Sequence, residues 1–101
     1  MPSRHDEPWT DEELEICIVI YADVIRRGGL AKNMSKDVFI ARGVKAAPGR
    51  NHTSILFRMQ NLSHLMQENG KPHILGWPPK SNVGPGMVPR IESLMKKHGL
   101  I

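Results

Sequence analysis

A chain of 101 residues, 40% apolar and 24% charged, has room for one hydrophobic core but not for two, and is too apolar to remain wholly unfolded. Its single cysteine, Cys17, excludes an intrachain disulfide and a cysteine-rich zinc site, and points to a reducing compartment, the cytoplasm. The net charge of +4 hides a division: residues 1–25 hold seven acids against Arg4, whereas residues 26–101 hold thirteen Lys or Arg against Asp37, Glu68 and Glu92, a net of +10 for that stretch.

An acidic head on a basic body is the distribution expected of a polyanion binder. At the N-terminus, Asp6 and Glu7 stand where a signal peptide would need an apolar core. The apolar run at 16–21 is too short to span a bilayer, so no membrane insertion is expected. The segment from Pro8 reads as a helix start, because Thr10 can cap, Glu13 completes a capping box, and Asp11, Glu12 and Glu13 suit the positive end of the dipole. Leu14, Cys17, Ile18, Tyr21 and Ile25 then form one face of a helix that Gly28 and Gly29 end. Ile16, Val19 and Ile20 leave apolar surface on a second side.

A shorter helix is predicted after Ser35, with Val38, Phe39 and Ile40 inward and Gly43 at its C-terminal stop. A third runs from Asn51 or Thr53 to about Glu68, with Ile55, Met59, Leu62 and Met66 as the buried stripe and Ser54, Arg58, Asn61 and Ser63 as the polar face. Residues 71–89 break into an ordered loop around Trp77. That ring is expected to plug the core, the alternative being a stack against an unpaired base. A fourth helix opens at Pro89 and buries Ile91, Leu94 and Met95 before Gly99. The fold class is therefore all-α: three helices in a helix-turn-helix-like arrangement with a Pro/Gly-rich loop and a fourth helix, one domain over 1–101 with its core at about 8–98.

Arg50, Asn51, His52, Thr53, Ser54 and Arg58 gather at the start of the third helix, where unpaired amides and the dipole favour phosphate and where recognition helices meet base edges. With Asn61, Lys45 and Lys80 they form the candidate DNA-binding set, and Lys32, Arg42 and Arg90 are further candidates for backbone contact. His5, His52, His64, His73 and His98 show no ligand spacing, Cys17 lacks a basic activator, and no nucleophile with its base can be assembled. No cofactor, metal or catalytic centre is expected.

Trp9-Thr10 with Glu12-Glu13, a short middle helix, and Arg50 opening a helix with Arg58 and Asn61-Leu62 resemble the Myb/SANT type of trihelical domain. The phrase from Gly49-Arg50-Asn51-His52-Thr53-Ser54 to Arg58-Met59-Gln60-Asn61-Leu62, followed by Gly76-Trp77-Pro78-Pro79-Lys80-Ser81-Asn82-Val83-Gly84, is similar to the N-terminal helical domain of McrA-like modification-dependent HNH restriction endonucleases. The likeness covers about residues 8–85. It implies a head domain that recognises duplex DNA, including base-modified DNA, for a nuclease in bacterial defence, and the nuclease centre itself is missing from this sequence. The alternative reading is a protein-interaction or homodimerisation head that uses the apolar surplus of the first helix.

Overall fold

The structure, a computed structural model, describes residues 8–29 and 36–101. Among these it forms four helices and no strand: α1 Asp11–Arg26, α2 Lys36–Ala46, α3 His52–Glu68 and α4 Val88–Lys97. The Ser35 expected to open the second helix and the candidate contact Lys32 lie outside the described residues.

The first helix begins as its sequence dictates. Thr10 Oγ1 accepts the amide of Glu13 at 3.1 Å, and a Glu13 carboxylate oxygen accepts the amide of Thr10 at 3.0 Å, so two of the amides left over at a helix start are satisfied reciprocally. Leu14, Cys17, Ile18, Tyr21 and Val24 are buried. Ile25 stands only partly covered at the edge of that face. At the far end Gly28, at φ 91°, and Gly29, at φ 82°, turn the chain back, and the Gly29 amide caps the carbonyl of Val24 at 2.9 Å.

Two expectations for α2 are corrected. Val38 is 60% exposed, because turning Phe39, Ile40 and Gly43 inward fills the buried arc and rotates Val38 to solvent. Gly43 does not stop the helix, which runs on to Ala46. It instead lies close against α3, where a Cβ would meet Cγ2 of Ile55 at 2.9 Å. The chain turns further on, through Pro48 and Gly49, the latter at φ 95°.

In α3 the stripe Ile55, Met59, Leu62 and Met66 is buried as its spacing requires. Ser63, expected on the polar face, is fully buried. Its Oγ lies 2.8 Å from the Tyr21 hydroxyl, which also accepts the Ile74 amide at 3.0 Å. The three groups satisfy one another where water is excluded. Trp77 has no exposed surface and its ring centroid lies 5.8 Å from that of Tyr21, so it plugs the core. The loop around it is tied along α3 by the Lys80 amide on the Gln60 carbonyl, 3.1 Å. The fourth helix starts one residue before Pro89, buries Ile91 and Met95, and leaves Leu94 half-buried. It packs on α1, which also touches α2 and α3, and α2 packs on α3. One apolar cluster joins residues from all four helices and the loop.

Candidate nucleic-acid interface

The start of α3 is built by Asn51, whose Oδ1 accepts the Ser54 amide at 2.8 Å, while Ser54 Oγ accepts the Asn51 amide at 3.1 Å. This reciprocal cap leaves the first two helical amides, of His52 and Thr53, outside the helix's own ladder. Asn51, His52 and Thr53 are exposed there and Ser54 is half-exposed. His52 Nε2 reaches Asp37, in the first turn of α2, at 3.4 Å. Lys45 is exposed near the end of α2.

Arg50 is not part of this surface. Its side chain has no exposed area. Nε donates to Glu13 Oε2 at 3.0 Å, Nη2 donates to Glu13 Oε1 at 2.9 Å and to the Pro8 carbonyl at 3.0 Å, and the guanidinium lies 4.5 Å from the centroid of the Trp9 ring. A forked donor against a carboxylate is the geometry in which a buried ion pair is retained. The expectation that Arg50 contacts phosphate is therefore corrected: a carboxylate of α1 occupies it.

Arg58 is also turned inward. It lies 4.7 Å from the same Trp9 ring and donates to Asn61 Oδ1 at 3.1 Å. Burial, with Arg50 and Arg90 nearby, pulls its pKa below the ordinary value. Arg50 Nη1 and Arg58 Nε make no hydrogen bond; the Trp9 ring is what these two guanidiniums share. Asn61 is 4% exposed and donates to the Lys80 carbonyl at 2.8 Å and to Asn82 Oδ1 at 3.2 Å. Arg90 closes the same corner from α4, with donors 2.8 Å from the Trp9 carbonyl and 2.7 Å from Asp11. Three arginines from three parts of the chain thus hold the segment 8–11.

With Arg58 and Asn61 turned in, the outward face of α3 lies roughly 100° away from the expected one. It carries Thr53, Phe57, Gln60 and His64, spaced four, three and four. Phe57 is 40% exposed, and Lys80 Nζ stands 3.8 Å from its ring centroid. Lys80 thus sits beside this ridge. The missed residues had a legible signal, since 53, 57, 60 and 64 stand opposite the apolar stripe 55, 59, 62 and 66. A phenylalanine among them disguised the face.

Apart from the exposed Glu12, the acids of α1 are matched from within. Asp11 pairs with Arg90, Glu15 with Lys97 and His98, and Asp23 with Arg26, Arg27 and Arg42. Arg42 and Arg90 are thereby occupied. Lys36, Lys45, Lys71, Lys80 and Lys96 make no ion pair with a carboxylate among the described residues. Also among the described residues, no group of three His, Cys, Asp or Glu converges as metal ligands, and no helix is long and apolar enough to cross a membrane. Comparison with family models, curated proteins and solved structures finds no match to this chain.

Proposed function

We propose that the chain is a duplex-DNA-binding module in which α2, the turn at 47–51 and α3 act as a helix-turn-helix and α3 enters the major groove. The observation that carries this reading is the charge left after internal pairing: five lysines without carboxylate partners, one of them beside the polar ridge of α3. Lysines in that state release counterions when they meet phosphate, and the ridge supplies donors, an amide and an aromatic ring for base edges. Of the candidate contacts, Asn51, His52, Thr53, Ser54, Lys45 and Lys80 keep this role. Arg50, Arg58 and Asn61 support the helix that carries them.

The likeness to the head domain of McrA-like restriction endonucleases extends the proposal to a non-catalytic targeting module for a nuclease, acting on plain or base-modified duplexes in the cytoplasm. The test is a fluorescence-anisotropy titration over salt, using plain, 5-methylcytosine and hydroxymethylcytosine duplexes. Phosphate contacts by Lys45 and Lys80 should give a slope of log affinity against log salt of about −1.8. Affinity indifferent to salt, or no binding at low salt, would remove DNA as the partner.

A second reading, a protein-docking head, draws on a different region. Leu75 is 85% exposed beside a groove of about 380 Å³ lined by Ile25, Gly28, Gly29 and residues 72–75. The expected dimer surface on α1 is reduced, because Ile20 is 3% exposed and Ile16 is packed against the core, leaving Val19 at 43%. Sedimentation at rising concentration tests a homodimer.

A further inference from the structure

We propose that Phe57 is the residue through which α3 reads the C5-methyl group of thymine in an A·T pair, with Gln60 reading adenine. The inference rests on the duplex-DNA reading above and names what the outward ridge recognises. Along α3 the core is already filled by Ile55, Met59, Leu62 and Met66, so packing gives no reason for a second large apolar side chain on the opposite face. Phe57 is nonetheless there, 40% exposed, at the middle of a ridge that runs from Thr53 to His64, a span of about 16 Å at helical rise. An α-helix fits the major groove, whose one apolar feature is the methyl group of thymine.

The neighbours of Phe57 select this partner over a protein surface. Lys80 Nζ, 3.8 Å from the ring centroid, sets a cation against the aromatic face without consuming it in an ion pair. Ring and charge are therefore presented together, which suits a partner that is negatively charged at its rim and apolar at one point within. Gln60 is the next outward residue, three positions on, and its side-chain amide makes no hydrogen bond among the described residues. A glutamine amide matches N6 and N7 of adenine in a bidentate fashion. Residues at i and i+3 stand about 5–6 Å apart, which fits the two groups to one A·T pair or to neighbouring pairs.

The test starts with selection from a randomised duplex pool by the full chain, followed by atomic substitution in the selected site. Replacing deoxythymidine with deoxyuridine should weaken wild-type binding about fourfold, the effect of withdrawing one methyl-sized apolar contact. Phe57→Ala should bind more weakly and respond equally to both bases, Phe57→Leu should keep part of the response, and Gln60→Ala should lose the preference for adenine. Thermal melts of the variants verify that they fold, as expected for substitutions on an exposed face. A duplex-binding wild type that is indifferent to uridine overturns the inference while leaving the DNA reading intact. So does a Phe57→Ala variant that still discriminates, or a response confined to 5-methylcytosine. A preference for single strands over duplexes recasts Phe57 as a stacking platform and overturns it too, and absence of any salt-dependent nucleic-acid binding removes both readings at once.

Discussion

Glu13 uses one carboxylate twice, closing the cap of α1 and receiving the fork of Arg50. Removing either partner leaves the other charge buried, which costs about 3–5 kcal/mol in comparable sites. Glu13→Ala and Arg50→Ala should both show losses of this size in urea unfolding. Arg50→Lys should recover little, because a single ammonium cannot reproduce two parallel bonds. Arg58→Ala should cost about 1–3 kcal/mol, through its contact with Trp9 and the bond to Asn61, where an outward-facing arginine would cost almost nothing. Cys17 has no exposed surface and burial pushes its thiol up to about 12, so a thiol reagent at neutral pH should react only at the rate of unfolding. The sequence made the Thr10–Glu13 cap plain because capping is a local pattern. It concealed the role of Arg50, since nothing in a linear chain joins position 50 to position 13, and an arginine at a helix start in a basic stretch reads as a phosphate ligand.

Among the elements, the extent of α3 is legible in the sequence and its rotation is not. The buried stripe follows from periodicity, but periodicity cannot say how far the loop around Trp77 wraps the helix to bury Asn61, or that Trp9 lies over Arg58. The same limit explains Gly43. Near a helix end glycine reads as a stop signal, whereas its role depends on the crossing of a helix twelve residues further on. Gly43→Ala gains about 1 kcal/mol of helix propensity but drives a methyl into Cγ2 of Ile55 at 2.9 Å, a branched core side chain with little freedom to move. Overpacking of this kind costs about 1–3 kcal/mol, so the variant should be less stable overall by denaturant midpoint. On the proposed DNA face, Asp37 beside His52 is the carboxylate that would repel phosphate. Asp37→Asn should tighten duplex binding about two- to fivefold at low salt, an effect that high salt removes.

For the molecule as a whole, stability should hold a plateau between acid and alkaline losses. Hydrogen bonds from Lys97 and then His98 hold Glu15 below its ordinary 4.5, and Arg42 foremost holds Asp23 below 3.8. Groups depressed in this way stabilise the fold above their unfolded values, and that contribution is lost as pH falls through the folded ones. Both lie at the surface, so the acid loss should be small and blunted by salt. At the other end, burial raises Cys17 from 9.0 and Tyr21 from 10.0. Their neutral forms are favoured in the fold, so stability is intact below those unfolded values and declines as pH rises past them. Urea midpoints measured between pH 3 and 11 should trace this shape.

The corner where Arg50, Arg58 and Arg90 close on residues 8–11 changes how the chain breathes. The first turn of a surface helix ordinarily frays, and its amides exchange with solvent through openings that cost almost no free energy. Here the first turn of α1 cannot lift away without stripping Glu13 from Arg50, Trp9 from two guanidiniums and Asp11 from α4. Its hydrogen-bonded amides, those of Thr10, Glu13 and Leu14, should therefore exchange deuterium as slowly as those of the Tyr21 core, while the exposed amides of Asp11 and Glu12 exchange at once.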